Sequence, residues 1–341
     1  MNDPRTPDLP AFPAPQVQSS RGVWTKAPEP EPEAPPRDWR INAALFVLTV
    51  FSVFATGGGV FGARFSSLRE FAIALGDGWT FAVPLLAILV VHELGHYVAA
   101  RIHRVDASLP YFLPLPGLSI FGTMGAIIAM RGRIRSRNAL LDIGASGPLA
   151  GLVVAIPVLA VGLSLSPVLP NPPGHYHQEG QSLLYLGLKR LVFGPIPQGY
   201  DVNLHPTAFA GWAGLLLTML NLLPWGQLDG GHVAYALFGP KQDKFAQLFR
   251  ASLLLLFLYN AAALILPVMH GQSTQGYVQA SVDSLFWLLW YVLLGVVGRF
   301  SGGAAHPPTE PGELSPARRV VAAVTLVLFV MLFMPTPLVT Y

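Results

Sequence analysis

Three ionisable side chains stand close together in the apolar stretch LLAILVVHELGHYVAAR, residues 85–101. His92 and His96 are four residues apart, so on a helix both imidazoles project from one face and can reach one metal ion. Glu93 follows the first histidine, and in this HExxH pattern a glutamate acts as general base on zinc-bound water. The spacing predicts a metal site with His92 and His96 as ligands and Glu93 as the base.

The apolar surroundings strengthen this interpretation. Ionisable residues inside a membrane span are costly and usually functional, and they need partners. The alternatives are a chance match to the pattern and histidines that form hydrogen bonds between helices. His92 lies nine residues before Arg101, roughly 13 Å along a helix. The site should therefore lie toward the cytoplasmic side of the membrane, which Arg101 is predicted to face.

A catalytic zinc ion needs a third protein ligand and an open position for water. The chain has no cysteine, so thiolate ligands are excluded. Asp142 and Asp229 are the acidic candidates near apolar segments. Asp142 lies close to a charged flank, where an interfacial salt bridge is the alternative. Asp229 stands deeper, in NLLPWGQLDGG at 221–231, where proline and glycine interrupt a span and can direct a side chain into a cavity.

Composition identifies the elements that must position these residues. Hydrophobic residues make up 52% of the 341 residues and charged residues 11%, against about 25% charged in soluble proteins. The sequence therefore predicts an all-α polytopic membrane protein with about seven transmembrane helices, one of them broken. The predicted spans are 41–60, 79–100, 138–166, 206–237, 251–268, 282–298 and 319–336.

Charge predicts the orientation of these helices. With a cytoplasmic N-terminus, fourteen Lys and Arg residues flank the spans on the inside and four flank them on the outside, the distal tail excluded. This distribution predicts a multi-pass protein, expected in the plasma membrane, with its N-terminus in the cytoplasm. A net charge of +3 is too small and too scattered to indicate nucleic-acid binding.

Four regions follow from these patterns. Residues 1–40 hold ten of the 32 prolines and are predicted to be a disordered cytoplasmic tail. Residues 41–78 form the first transmembrane helix and a loop, and 79–240 form a catalytic membrane core. Within that core, proline breaks and then Gly, Thr and Ile at about 105–135 predict a small re-entrant β-hairpin, with a cytoplasmic loop as the alternative. Residues 241–341 contain additional transmembrane helices.

Two motifs in this order resemble a known family. HELGH at 92–96, followed by Asn221, Pro224 and Leu228-Asp229-Gly230, is similar to the site-2 protease family of intramembrane zinc metalloproteases. GASGP at 144–148 is also similar to members of that family. The resemblance covers roughly residues 80–240.

The resemblance implies that His92, His96 and Asp229 bind one Zn²⁺ per chain and that Glu93 is the catalytic base. It also implies that Asn221 holds the substrate or the developing oxyanion, and that the hairpin receives an unwound substrate as an added strand. The expected function is a zinc endopeptidase that cuts membrane proteins within or next to a transmembrane segment. The expected partners are a transmembrane helical substrate and the lipid bilayer; the sequence specifies neither the substrate nor the oligomeric state.

Two other functions compete with this one. Broken helices with intramembrane His and Asp also suit a metal-ion transporter. Glu93 favours the protease, because a transporter has less need of a base beside the first ligand. An inactive member that binds membrane helices is the third possibility, and the intact motifs argue against it.

Overall fold

The computed structural model describes residues 16–18, 24–26, 39–130, 134, 136–172, 176–271, 276–300, 309 and 312–340. Met1–Asp38 and Trp39–Tyr341 are two separate units. In the first unit, the strands β1 (Gln16–Gln18) and β2 (Trp24–Lys26) form an antiparallel pair. The other residues of the predicted disordered tail lie outside the described residues, except Trp39 and Arg40, which begin the first helix.

The second unit is mostly helical, as the composition predicts. Its helices are α1 (Trp39–Gly57), α2 (Leu68–Asp77), α3 (Trp79–Ile102), α4 (Arg137–Ser164), α5 (Leu183–Phe193), α6 (Pro206–Asn221), α7 (Asp229–Phe238), α8 (Gln242–Met269), α9 (Tyr277–Ser284), α10 (Phe286–Phe300) and α11 (Pro316–Leu332). Its strands are β3 (Tyr111–Pro114), β4 (Thr123–Ile127), β5 (Val168–Pro170), β6 (His177–Glu179), β7 (Tyr200–Val202) and β8 (Leu338–Thr340). Within the described residues the strands form two-stranded antiparallel sheets: β1 pairs with β2 in the first unit, and β3 pairs with β4, β5 with β7 and β6 with β8 in the second.

The predicted number of seven spans is not confirmed. Among the described residues, five helical segments are long and apolar enough to cross a membrane: Trp39–Gly57, Trp79–Ile102, Arg137–Ser164, Asp229–Met269 and Tyr277–Arg299. The predicted fourth span is divided, because α6 ends before α7 begins. With 16 residues, α6 is about 24 Å long, short of a hydrocarbon core of about 30 Å. The last predicted span corresponds to α11, which has 17 residues.

Close contacts between α3, α4 and α6 build the centre of the molecule. A side chain at Gly95 of α3 would meet the backbone of Ser146 in α4, and one at Gly211 of α6 would meet the backbone of Leu159 in α4. Small residues at such crossings let the backbones of apolar helices approach each other, which strengthens van der Waals packing where the hydrophobic effect is absent. α3, α4 and α6 are thereby positioned around the candidate ligands.

The predicted β-hairpin is confirmed as β3 and β4, and α1 holds it in place. Asn42 of α1 donates its amide to the carbonyls of Leu109 and Pro110, at 2.9 and 3.0 Å. Further along α1, Ser52 Oγ donates to the carbonyl of Gly122 at 2.6 Å. These bonds satisfy backbone carbonyls just before β3 and just before β4, which hairpin backbone would need if it lay at membrane depth.

A polar network anchors α5 in the segment between α4 and α6. Lys189 Nζ donates to Asp201 at 2.7 Å, and Tyr185 Oη donates to Glu179 at 2.6 Å. Burial would raise the pKa of Asp201, but the hydrogen bond from Lys189 holds it below the ordinary value. Lys189 is itself buried. Its ammonium group therefore links α5 to Asp201 and does more than mark one side of a membrane span.

Candidate metal centre

Three side chains from two distant parts of the chain meet at one point. His92 Nε2, His96 Nε2 and one carboxylate oxygen of Asp229 lie 3.2 Å from one another in each pairing. Both histidines are buried and Asp229 is largely buried. The ligand atoms of these three side chains are close enough to share one metal ion.

The geometry of this group fits zinc. Zinc binds His nitrogen and carboxylate oxygen at about 2.0–2.2 Å, usually as a tetrahedron, in which neighbouring ligand atoms lie about 3.3 Å apart. The observed triangle, with all three sides at 3.2 Å, matches one face of such a tetrahedron. Two imidazoles and one carboxylate are also a usual donor set for catalytic zinc, with the fourth position open to water.

The orientation of His96 is set from α4. Its Nδ1 lies 2.7 Å from the carbonyl oxygen of Ile143, which can only accept, so Nδ1 carries the proton and donates. Nε2 therefore keeps its lone pair toward His92 and Asp229. A hydrogen bond of this kind on the second ring nitrogen is the usual support for a metal-binding histidine.

Glycines of α4 make room for both imidazoles. A side chain at Gly147 would overlap the His96 ring, and a Cβ at Gly151 would lie 3.1 Å from His92 Nδ1. Gly147 belongs to the GASGP segment that the resemblance singled out, whereas Gly151 was not predicted. α4 thus presents a smooth surface against which the two rings rest.

We expect Gly147→Ala to lower zinc affinity by about 10–100-fold, as for other groups that support a ligand, because its methyl group displaces the His96 ring. Gly187→Ala is the matched control, since nothing lies within 4 Å of a Cβ at that position on α5. The measurement is zinc per chain for both variants in zinc-buffered solutions. Equal zinc affinity in the two variants would contradict the tight packing of His96 on α4.

The break in the predicted fourth span positions Asp229. α6 ends at Asn221, and Asp229 is the first residue of α7. Side chains at Gly230 and Gly231 would overlap the carbonyl oxygens of Leu222 and Gly226, so only glycine lets α7 start so close to this turn. The tight return brings Asp229 to the two histidines of α3.

A small cavity adjoins His92, one of the three ligands. Glu93 and Asn221 line it together with His92, and residues Met124, Gly125 and Ala126 of β4 form its opposite wall. The space open to water-sized molecules is about 30 Å³, enough for roughly one or two waters but not for a peptide. Asn221 Nδ2 lies 3.2 Å from His92 Nε2, so the amide stands at the edge of the metal group. The resemblance implied that the hairpin receives the substrate, but it did not identify the residues of β4 that line this cavity.

Asp142, the other acidic candidate, lies away from this group. It accepts two hydrogen bonds from Arg318, at 2.9 Å from Nε and 2.6 Å from Nη2, and lies 2.7 Å from His103 Nε2. The interfacial salt bridge considered for Asp142 is therefore present. It joins α11 to α4 and to the end of α3.

Comparisons with known proteins agree with this arrangement. The sequence profile described as peptidase family M50 matches residues 80–259. "Probable zinc metalloprotease EGY2, chloroplastic" from Oryza sativa subsp. indica is 33% identical over 218 residues, which are 62% of this chain and 39% of that protein. "Probable zinc metalloprotease EGY1, chloroplastic" from Arabidopsis thaliana is 38% identical over 167 residues, 46% of this chain and 29% of that protein. The chain thus matches about two fifths or less of the length of these relatives, and no solved structure matches it.

Proposed function

Because the chain belongs to peptidase family M50, the site-2 protease family, we propose that it is an intramembrane zinc endopeptidase. It hydrolyses peptide bonds within or next to transmembrane segments of membrane proteins. The observation that carries this proposal is the buried triangle of His92, His96 and Asp229 with Glu93 on the adjoining cavity wall. The catalytic core is assigned to residues 79–240, and residues 241–341 add further membrane helices.

The proposed zinc ligands are His92, His96 and Asp229, with one ion per chain. The triangle of ligand atoms, the family and the relatives named zinc metalloproteases agree on this metal. When bound, zinc supplies Lewis acidity that brings the pKa of a coordinated water to about 7 and polarises a carbonyl. Thiolate chemistry has no part, since the chain has no cysteine.

Glu93 is the proposed general base. It follows His92 on α3 and is buried beside a cavity that has room for water. Its carboxylate can accept the proton from the attacking water and pass it to the leaving amine, which is the role that a positioned glutamate performs in acid–base catalysis.

Asn221 is the proposed donor to the reacting carbonyl. Its side-chain amide lies at the last position of α6 and lines the same cavity as His92 and Glu93. An amide N–H held there can donate to the oxygen that becomes negative during attack. We expect Asn221→Ala to lower the cleavage rate by about 10²–10³-fold.

The Asn221 prediction is checked by comparing cleavage rates at saturating substrate. Thr218→Val changes another residue that lines the cavity, whose hydroxyl already donates to the carbonyl of Gly214 at 2.8 Å. A loss in Asn221→Ala that is no larger than the loss in Thr218→Val would contradict a role in stabilising the oxyanion.

β4 is the proposed docking strand for the substrate. A helix hides its carbonyls in internal hydrogen bonds, so a transmembrane substrate must unwind before it is cut. An extended segment can then pair with a sheet edge through backbone hydrogen bonds. β4 suits this role because residues 124–126 face the cavity that Glu93 and Asn221 line.

The metal-transporter alternative is separated from the protease by one reconstitution. The purified chain is placed in liposomes with a single-span helical substrate, and both substrate cleavage and zinc flux into the lumen are measured. The protease proposal expects cleavage without zinc flux. Zinc flux without cleavage would overturn it in favour of transport. Zinc binding without either activity would favour the inactive family member.

The chain is a membrane protein by its apolar helices. We propose the orientation with a cytoplasmic N-terminus, and the plasma membrane as its location, although the relatives are named chloroplastic and do not support that location. In this orientation the β5–β7 region lies outside. A cysteine introduced at Gln178 should therefore react with an impermeant reagent added from outside, and reaction only after the membrane is opened would reverse the topology.

A further inference from the structure

A second, larger cleft lies between α8 and α10, away from the metal triangle. Its volume is about 750 Å³, and we refer to it as the α8–α10 cleft. Its lining includes Trp225, Arg250, Leu254, Tyr291, Gly295 and Arg299. Nothing in the proposed proteolytic mechanism uses this space.

The charge of the α8–α10 cleft is entirely positive. Arg250 and Arg299 line it, and no carboxylate is among its lining residues. Neither guanidinium forms a salt bridge with any residue that the structure describes. Two arginines that no described carboxylate neutralises, beside apolar helices, make a site for an anion, because Arg stays protonated and offers planar pairs of donors.

Arg250 is held ready for such a ligand. Its guanidinium carbon stands 4.4 Å from the centre of the Tyr291 ring, and its Nε donates to the Tyr291 carbonyl at 3.3 Å. Gly295 leaves the space that the guanidinium occupies, since a Cβ there would crowd Nη2. These contacts use the ring face and Nε, so the donors on Nη1 and Nη2 remain for a ligand.

The walls of the cleft indicate which kind of molecule bears the anionic group. Leu254 and Leu294 contribute apolar surface, and apolar lining continues with Val292 and Val296. The arginines lie toward the ends of α8 and α10 that the charge distribution predicts to face the cytoplasm. A ligand that fits has an anionic group at the membrane surface and hydrocarbon along the helices, and basic pockets between membrane helices bind lipid head groups in this way.

We propose that the α8–α10 cleft binds an anionic phospholipid, with Arg250 and Arg299 contacting its phosphate and its acyl chains lying along α8 and α10. The site is close to the proteolytic machinery. Trp225 belongs to the turn between α6 and α7 that precedes Asp229, and it forms one wall of the cleft. A bound lipid therefore contacts the turn that presents the third metal ligand.

The test is lipid binding to the full chain by native mass spectrometry. The delipidated protein in detergent is titrated with phosphatidylglycerol and with phosphatidylcholine that carry the same acyl chains. We expect phosphatidylglycerol to bind at least about tenfold more tightly, and Arg250→Gln with Arg299→Gln together to remove that preference. Arg64→Gln with Arg69→Gln is the matched control, because it removes the same charge from exposed positions at and just before α2 and should keep the preference.

Three results would overturn the proposal. Equal affinity of the wild type for the two lipids is the first, and an unchanged preference in the Arg250 and Arg299 double variant is the second. The third is binding of millimolar inorganic phosphate without binding of phosphatidylglycerol, which would assign the site to a soluble phosphate. If the double variant fails to fold, Arg299→Gln alone decides, since Arg299 is exposed at the end of α10 and should by itself weaken the preference.

Discussion

Glu93→Gln is expected to lower peptide-bond cleavage by about 10²–10⁴-fold, the usual contribution of a positioned general base, while zinc per chain stays unchanged. Glutamine has nearly the same shape as glutamate but cannot accept a proton at neutral pH. Glu93 is not among the three atoms of the metal triangle, so its neutralisation leaves the ligand set intact. The separation of activity from metal content is therefore the informative result.

The measurement uses purified protein and a single-span substrate, with zinc quantified on the same preparation. Glu70→Gln is the control, because Glu70 lies exposed on α2 and its carboxylate accepts hydrogen bonds from the nearby Ser66. A comparison of membrane proteomes from cells with the active and Glu93→Gln forms then identifies substrates as accumulated single-span fragments. Full cleavage by Glu93→Gln would show that the mechanism is wrong.

Asp229→Ala is expected to have the largest effect on metal binding. Removing a ligand should weaken zinc affinity by more than about 100-fold, the upper range for groups that merely support a ligand. Asp142→Ala is a matched control, since it also removes an aspartate carboxylate from a helix, but Asp142 pairs with Arg318 and His103 instead of the metal triangle.

Zinc content and thermal unfolding are measured for both aspartate variants. Asp142→Ala should keep its zinc and lose some thermal stability, because it leaves Arg318 without its partner. Asp229→Ala should lose its zinc. Unchanged zinc per chain in Asp229→Ala would remove Asp229 from the ligand set and reopen the choice of the third ligand.

The local part of the site was predictable because it depends on helix periodicity. The spacing of His92 and His96 places them on one face of α3 wherever that helix packs. Pro224 and the glycines after it likewise marked a break before Asp229. Both features are properties of a short stretch of chain, and the structure has α3 and the turn where these patterns predicted them.

The parts that depend on packing were not predictable from this sequence. α3 and α4 are apolar on nearly all sides, so periodicity does not say that Gly151 faces His92 rather than lipid. The pairing of Asp142 with Arg318 joins positions 176 residues apart in the chain. The predicted number of seven spans is not confirmed: the segment predicted at 206–237 is divided after Asn221, and five segments among the described residues are long and apolar enough to cross a membrane.

The position of β4 against the small cavity beside His92 has a consequence for how cleavage of the wrong membrane proteins would be avoided. About 30 Å³ admits water but no polypeptide, so a substrate would have to displace part of the cavity wall before it reached Glu93. If only an extended segment that pairs with β4 can displace this strand, stable helices that diffuse past would not be cleaved, and neither an inhibitor nor a propeptide would be needed. Selection would then fall on the ease with which a neighbour unwinds, more than on the identity of its side chains.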